Sequence, residues 1–169
     1  LSISYGRPFG TEDITYGLNL NYTNLKSYYD FNNYNTINDF IKNTVSFIKP
    51  PEGYQINTNF KRKYDNGVYK FYARFSANDL ALDIDDGSIF NLKNDNLYIS
   101  SIYKGIIEND WSMNLGASYS ENNDDRYIYI QEDNMNFNVP SFDNLLQFRA
   151  NFSKSLFSNS LLRLGFHFF

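Results

Sequence analysis

Trp111-Ser112-Met113-Asn114-Leu115-Gly116-Ala117-Ser118-Tyr119-Ser120 is the stretch that decides the fold. Its odd-numbered residues are large or apolar, and its even-numbered residues are small or polar. Because side chains alternate between the two faces of a strand, this stretch predicts a β-strand with one apolar and one hydrated face. The same alternation recurs in at least five other segments, separated by alternately short and long polar connections. Strands of this kind predict a β-barrel in lipid with a hydrated lumen.

The composition is compatible with such a barrel and excludes several other classes of protein. Aromatic residues make up 19% of the 169 residues, and the mean hydropathy is −0.51 because half of each strand would face water. No stretch of about 18 apolar residues exists, which excludes a helical membrane protein. The absence of cysteine excludes disulfides and thiolate metal sites. The net charge is −4 and no basic run interleaves with aromatic residues, so we expect no nucleic-acid partner.

The alternation predicts a single all-β domain over residues 1–169, an antiparallel transmembrane β-barrel of the bacterial outer membrane. Each strand approaches the roughly 9–11 residues that a tilted strand needs to cross a bilayer. The eight predicted strands are residues 1–9, 13–26, 53–64, 68–84, 95–107, 111–121, 143–154 and 160–169.

The connections predict the direction of each strand. Short ones fall at 10–12, 65–67, 108–110 and 155–159, and long ones at 27–52, 85–94 and 122–142. Asp65-Asn66-Gly67 predicts a tight hairpin because Asn and Gly tolerate positive φ. Bacterial barrels have short periplasmic turns and long extracellular loops. On that rule the first strand starts outside and the last strand ends outside. A complete barrel normally has both termini in the periplasm, so we expect about eight strands of a larger barrel. The chain starts at Leu1 without a signal peptide, and we expect a processed or excised piece.

Two of the long connections carry a further prediction. Residues 37–48 have the composition of a short helix, which Pro50 and Pro51 would end. Residues 127–130 predict an extension of a hairpin above the membrane. The remainder of both connections is rich in Asn and Asp and is expected to be solvated.

Several short motifs resemble a known family. They are Ile48-Lys49-Pro50-Pro51-Glu52-Gly53-Tyr54-Gln55, Asn59-Phe60-Lys61-Arg62-Lys63, Gly67-Val68-Tyr69-Lys70-Phe71-Tyr72-Ala73, Leu92-Lys93-Asn94-Asp95-Asn96-Leu97-Tyr98, Tyr103-Lys104-Gly105 and the stretch 111–120. This series is similar to the early barrel strands of TonB-dependent outer-membrane receptors of Bacteroidetes-type bacteria. In those proteins a similar stretch, Lys-Pro-Pro-Glu-Gly-Tyr, closes an early extracellular loop. The resemblance covers roughly residues 48–120, in what would be the N-terminal half of the barrel.

The resemblance implies uptake of a bulky nutrient, such as a siderophore, an oligosaccharide or a peptide, across the outer membrane. The implied partners are outer-membrane lipid, a plug domain, TonB and a surface lipoprotein over the mouth of the barrel. The chain departs from the family pattern because it contains neither a plug domain nor a TonB box. Its eight strands are also far fewer than the roughly 22 strands of the full barrel of that family.

Two groups of residues are candidates for contact with a ligand. Aromatic loop residues can stack on sugar rings or catechols, although they can equally pack loops together. The candidates among them are Tyr28, Tyr29, Tyr34, Tyr127 and Tyr129. Basic residues on the polar faces would point into the lumen and line a path for an anionic substrate or pair with carboxylates of a plug. These are Lys61, Lys70, Arg74, Arg149 and Arg163.

The sequence does not predict an enzyme, a metal site or a cofactor. His167 is the only histidine, and a lone histidine without cysteine makes a metal or nucleophilic site improbable. Asp83, Asp85, Asp86 and Gly87 are acidic enough to suggest calcium but lack the spacing of an EF-hand loop. We therefore expect these carboxylates to be solvated.

Three other interpretations remain open from the sequence. The first is a complete small eight-stranded outer-membrane barrel with a structural or adhesion role, since eight strands can close around their own side chains. The second is a soluble β-sandwich, which would bury the apolar faces against each other and could bind carbohydrate. The third is an outer-membrane hydrolase, which the lone His167 disfavours.

Overall fold

The structure, a computed structural model, describes residues 2–10, 13–24, 45–84, 87–157 and 160–169. The regular structure in these ranges is β-strand, apart from a three-residue 3-10 turn, Glu108–Asp110. The strands are β1 (Ser2–Gly10), β2 (Ile14–Asn24), β3 (Val45–Tyr64), β4 (Gly67–Ile84), β5 (Ser88–Ile107), β6 (Trp111–Ile130), β7 (Met135–Phe157) and β8 (Ser160–Phe168). They form one antiparallel sheet in chain order. Among the described residues, no helix is long and apolar enough to span a membrane.

Every predicted strand is present, but four strands are longer than predicted. β3 begins at Val45, β5 at Ser88 and β7 at Met135, while β6 runs on to Ile130. The long loops predicted at 85–94 and 122–142 are therefore wrong, because paired strands occupy most of both ranges. Residues 127–130 pair with β7, so the strand pairing of the predicted hairpin extension is confirmed. Cross-strand pairing satisfies the backbone N–H and C=O groups of these extensions, whatever their side chains.

The segment before Glu52 also differs from the prediction. Residues 45–48 are strand, so the predicted helix is wrong there, and 37–44 lies outside the described residues. Pro50 and Pro51 stand inside β3, between Lys49 and Glu52, where the ladder shifts its register. Proline has no N–H to donate, so it is tolerated where a ladder is irregular.

The sheet has a proximal end, at the turns 65–66 and 108–110, and a distal end, at the turn 131–134. The hairpin predicted at Asp65-Asn66-Gly67 is present, but positive φ is not what forms it. The described non-glycine residues with positive φ are Asp110, at 60°, and Asn134, at 50°. Both stand immediately before a strand, and both are residue types that tolerate the left-handed region. The connections predicted at 10–12 and 155–159 are shorter, since Gly10 belongs to β1 and β7 extends to Phe157.

The register of the ladders defines two faces. Directly opposite residues in an antiparallel pair project from the same side of the sheet. One row of the apolar face consists of Tyr16, Phe60, Phe71, Ser101, Ala117, Phe148 and Phe168. The adjacent row of the polar face consists of Gly17, Asn59, Tyr72, Ser100, Ser118 and Gln147. The alternation within each strand therefore becomes a continuous property of the whole sheet.

Within the described part of the chain, nothing covers the apolar face. Among all the described residues, only Ala81 and Ser88 are buried, at 7% and 6% exposure. Phe166 and Phe168 are each 67% exposed. A sheet packed against a second sheet would bury such a face. The apolar face thus needs a covering that the described residues do not supply.

Aromatic rings paired with basic groups mark the proximal end of the apolar face. We call Tyr64 and Trp111 the proximal rim. The guanidinium carbon of Arg62 lies 4.8 Å from the centroid of the Tyr64 ring. The Nζ of Lys154 lies 5.8 Å from the centroid of Trp111. Both are cation–π contacts in which an apolar ring is set beside a group that prefers water.

Tyrosines paired with carboxylates mark the distal end of the apolar face. We call Tyr22, Tyr54 and Tyr119 the distal rim. The hydroxyls of Tyr22 and Tyr54 each donate to Glu52 at 2.8 Å, and that of Tyr119 donates to Glu121 at 2.6 Å. The hydrogen bonds from Tyr22 and then Tyr54 lower the pKa of Glu52. Each tyrosine of the distal rim therefore presents a ring to the apolar face and a hydroxyl to a charged group beyond it.

Tyr103 covers a pair of glycines near the proximal end. Gly67 and Gly105 stand directly opposite each other in the β4–β5 ladder. A Cβ on either glycine would lie 2.6 Å from the hydroxyl oxygen of Tyr103. The tyrosine occupies the space that two side chains would otherwise need, an arrangement that compensates for glycine in a strand.

We expect Gly105→Ala to destabilise the protein by about 1–3 kcal/mol. The new methyl would lie 2.6 Å from both the Tyr103 hydroxyl and the carbonyl oxygen of Asn66. The midpoint of urea unfolding measures the effect. Gly116→Ala is the matched control, because its nearest neighbours would be 3.9 Å away. Equal midpoints for the two variants would contradict the proposed packing of Tyr103.

Candidate functional site

The polar face is the candidate site, and a cluster of amides occupies its middle. Asn21 donates from Nδ2 to Asn19 Oδ1 at 2.7 Å, and Asn57 donates to the same oxygen at 3.3 Å. The Oδ1 of Asn57 accepts from Gln55 at 3.1 Å and from the Tyr72 hydroxyl at 3.1 Å. Three strands thus hold these side chains in fixed orientations, with neutral donors and acceptors facing away from the apolar side.

A second cluster lies farther along the polar face and centres on Asp124. Asn94 donates to Asp124, Asn122 donates to it at 3.3 Å, and Arg126 contacts it at 3.3 Å. Asn94 also donates to Asn122 Oδ1 at 3.0 Å. The hydrogen bond from Asn94 is the largest of the influences that lower the pKa of Asp124. The carboxylate is therefore kept ionised and fixed in position.

Aromatic rings and a guanidinium lie between the two clusters. The rings of Tyr72 and Tyr98 have centroids 6.0 Å apart. Arg74 donates to Asn96 Oδ1 at 3.3 Å. A hollow of about 400 Å³ opens beside Arg74, and its polar-face lining includes Asn21, Thr23, Gln55, Ser76 and Asn78. Rings, amides and one guanidinium suit hydrogen bonding and stacking with a polar solute.

The five predicted basic residues all share the polar face. Lys61, Lys70 and Arg149 stand in a single cross-strand row. Arg74 lies two rows toward the distal end, and Arg163 two rows toward the proximal end. In the described residues, none of the five forms an ion pair with a carboxylate. The alternation in the sequence was sufficient to place them together.

The predicted loop tyrosines do not gather at this site. Tyr28, Tyr29 and Tyr34 lie outside the described residues. Tyr127 and Tyr129 belong to β6, as the predicted hairpin extension requires, and not to a loop as the ligand hypothesis assumed. Their odd positions put them on the same side of β6 as Trp111, away from the polar face. Their hydroxyls donate to Asn136 at 2.9 Å and to Asn134 at 3.5 Å, which links the two strands of the distal hairpin.

The sequence analysis missed an inversion of polarity at the distal end. Here the side that carries the polar face becomes apolar, with Leu80, Leu82, Phe90, Leu92, Ile128, Phe137 and Val139. The opposite side becomes polar, with Asp79, Lys93, Asp125, Asn91 and Asn138. The signal was present in Leu80-Ala81-Leu82-Asp83, where the apolar residues move from odd to even positions. The inversion continues through residues 85–94 and 122–142, where the Asn and Asp content predicts loops and hides the period of two.

The acidic residues and the single histidine do not form a cluster in the described part of the chain. Within the ranges that the structure describes, no three His, Cys, Asp or Glu side chains come together as metal ligands. His167 stands opposite Arg149, and its ring lies 5.9 Å from that of Phe169. Asp83 belongs to β4, while Asp85 and Asp86 lie outside the described residues.

Comparison with known proteins adds no identification. No family model, no curated protein and no solved structure matches this chain.

We expect that in Asn94→Leu the free energy of unfolding falls less steeply as the pH is lowered into the acid range. Asp124 has a lowered pKa when folded, so its contribution is present above its unfolded pKa and is lost as the pH falls through the folded pKa. Removing the Asn94 donor raises the folded pKa toward the ordinary value and reduces that loss. Urea unfolding midpoints between pH 7 and about pH 3 measure the change.

The matched control is Asn91→Leu, which makes the same replacement on the opposite face of the same strand. Asn91 is exposed and stands opposite Tyr127 rather than beside Asp124. A pH dependence that is as steep in Asn94→Leu as in Asn91→Leu would show that Asn94 does not hold Asp124 in its ionised form.

Proposed function

We propose that this chain is part of the wall of an outer-membrane β-barrel transporter of the TonB-dependent type. The apolar face would contact lipid, and the polar face would line a hydrated interior. The observation that carries the proposal is an uncovered apolar face bounded by two aromatic rims, with an inversion of the polarity of the sheet beyond the distal rim. Aromatic girdles around an apolar band are typical of transmembrane barrels.

We call the part of the apolar face between the two rims the apolar band. Its slope across the strands supports this proposal. The residue of β6 in register with Tyr64 is Met113, and Trp111 lies two residues before it. The residue of β6 in register with Tyr54 is Asn123, and Tyr119 lies four residues before it. Both rims thus move toward the proximal end between β3 and β6. A mean offset of about 10 Å across three strand spacings, about 14 Å, corresponds to a tilt of roughly 35°. Transmembrane barrel strands tilt by about 35–45°.

The height of the band leads to the same conclusion. Tyr54 and Tyr64 are ten residues apart in β3, and Trp111 and Tyr119 are eight residues apart in β6. At about 3.4 Å per residue these distances are roughly 27–34 Å along the strands. With the tilt of about 35°, the band is roughly 22–28 Å high, close to the apolar band of about 25 Å in outer-membrane barrels.

The polarity inversion supports one orientation of the proposed barrel wall. Beyond the distal rim, Glu52 and Asp79 replace the apolar residues, as expected where strands leave the hydrocarbon and enter water. Strands that continue past the membrane on one side, with short turns on the other, fit the asymmetry of bacterial barrels. The distal end is therefore the proposed extracellular side, and the proximal turns are periplasmic.

The transport activity and its partners rest on the resemblance of residues 48–120 to TonB-dependent receptors. On this proposal the chain contributes wall to the barrel and catalyses no reaction. The ligand would be a siderophore, an oligosaccharide or a peptide. A plug domain, TonB and a surface lipoprotein would be the partners.

A complete small barrel with a structural or adhesion role is the second candidate. The observation that favours it is the number of strands, since eight is the smallest number found in closed outer-membrane barrels. The soluble sandwich has less support, because the described residues form one layer and leave large apolar side chains exposed.

We expect Ala117→Arg to block membrane assembly. Ala117 stands in the middle of the apolar face between Ser101 and Phe148, where a charge facing lipid costs about 2–4 kcal/mol. Gel mobility of unheated outer-membrane samples measures the folded fraction.

Ser118→Arg is the matched control, since Ser118 is the next residue of β6 and lies on the polar face opposite Ser100 and Gln147. It should assemble nearly as well as the wild type. If both variants assembled equally well, the apolar face would not face lipid.

The intact mass of the native polypeptide, isolated from the outer membrane with an antibody to this chain, separates the two candidates. A mass several-fold above 19.8 kDa would support the transporter. A mass near 19.8 kDa would favour the small barrel and remove the transport proposal.

A further inference from the structure

Two basic residues on the apolar face lie beside the proximal rim. They are Arg62 of β3 and Lys154 of β7. Arg62 stands opposite Tyr69 in its ladder, and Lys154 stands opposite Leu162. A cation on a face that contacts lipid is costly unless its charged group reaches polar surroundings. The surroundings of these two charged groups therefore decide what the rim can bind.

Both charged groups lie against the rings of the proximal rim. The guanidinium carbon of Arg62 is 4.8 Å from the centroid of Tyr64, and the Nζ of Lys154 is 5.8 Å from that of Trp111. Tyr64 follows Arg62 by two residues toward the proximal end of β3, so the guanidinium is directed away from the middle of the apolar face. In this arrangement long basic side chains reach the surface of a membrane.

The two cations also lie at one height when the tilt of the strands is considered. The residue of β7 in register with Arg62 is Ala150, and Lys154 lies four residues, about 14 Å, farther toward the proximal end. β3 and β7 are four strand spacings, about 19 Å, apart. A tilt of about 35° moves a line of equal height by about 13 Å over that distance. Arg62 and Lys154 would thus meet one plane of a bilayer, roughly 23 Å apart along the sheet.

Neither cation has a carboxylate partner within the described residues. The two ion pairs found there are Lys49–Asp79 and Arg126–Asp124. The described acidic residues near the proximal end stand in the connections beyond the strands and are Asp13, Asp65, Glu108 and Asp110. The apolar face therefore carries uncompensated positive charge at the height of the proximal rim. An anionic group of the membrane itself could balance that charge.

We propose that the proximal rim binds the headgroups of anionic phospholipids, one at Arg62 and another at Lys154. Aromatic rims stand at the level of the headgroups, where the hydrocarbon ends. A guanidinium can donate two parallel hydrogen bonds to a phosphate, and an ammonium attracts it as a point charge. The separation of roughly 23 Å means that each cation would bind its own headgroup.

This inference rests on the proposed contact of the apolar face with lipid, and it adds a preference for anionic lipid at one end of that face. On the proposed orientation, the bound lipids belong to the periplasmic leaflet. The basic residues of the polar face take no part in it, because they project from the other side of the sheet.

The test compares the native polypeptide in vesicles of phosphatidylcholine and in vesicles of phosphatidylcholine mixed with phosphatidylglycerol. The thermal midpoint of unfolding is read from gel mobility after heating. We expect the anionic lipid to raise the midpoint of the wild type by about 2–4 °C. Arg62→Gln/Lys154→Gln should lose most of this rise. Each variant is compared with itself in the two kinds of vesicle, so a general loss of stability cancels.

Two control variants show whether the charge and the face both matter. Arg62→Lys/Lys154→Arg retains both charges and should retain the rise. Lys63→Gln/Lys104→Gln removes two charges that share a row of the polar face, and it should also retain the rise. An undiminished rise in Arg62→Gln/Lys154→Gln would overturn the proposal. An equal loss in Lys63→Gln/Lys104→Gln would overturn it as well, because the lipid would then respond only to the total charge.

Two further outcomes identify which proposal fails. If inorganic phosphate raised the midpoint in phosphatidylcholine vesicles as much as the anionic lipid does, the rim would bind a free anion and the lipid inference would be wrong. If the polypeptide assembled in both kinds of vesicle with equal midpoints, headgroup binding alone would be wrong. Equal assembly of Ala117→Arg and Ser118→Arg would instead remove the contact with lipid, and both proposals would be wrong.

Discussion

The rest of the structure depends on the phase of cross-strand pairing, which is the choice of residues that share a face in neighbouring strands. A strand has only two faces, so a slip of one residue in any ladder would interchange them for every strand that follows. The β3–β4 ladder shifts by one residue between Phe47 and Lys49 and again between Lys49 and Glu52. The two shifts add to an even number, so the original phase is restored. Pro50 and Pro51 can therefore interrupt β3 without exchanging its faces.

The phase explains why much of the fold could be predicted from the sequence. Where one face is uniformly apolar, as in 111–120, the period of two is visible in single residues, and strand positions and faces follow directly. The extensions of β5, β6 and β7 could not be found in this way. Their residues are rich in Asn and Asp and resemble a loop, and their apolar members, such as Phe90, Ile128 and Phe137, have moved to the other face. Backbone pairing persists there because ladders are built from main-chain groups.

The same reasoning separates the two groups of candidate site residues. Lys61, Lys70 and Arg149 were found because their side is fixed by neighbours in regular strands. The sequence predicts a hairpin extension at Tyr127 but not its cross-strand partner, Asn138, because nothing in one strand identifies the residue opposite. The amide clusters escaped notice for a related reason. The contact between Asn57 and Asn19 joins residues 38 positions apart, and only the register brings them together.

The edge strands of the sheet affect how the chain behaves when it is produced alone. In the described residues β1 pairs only with β2, and β8 only with β7. Within the described residues, each edge strand therefore has a row of N–H and C=O groups without a cross-strand partner, and β8 also exposes the rings of Phe166 and Phe168. An exposed edge strand of this kind is a template for the addition of further strands. Unless neighbouring strands pair with β1 and β8, aggregation by edge-to-edge pairing of separate chains will compete with folding.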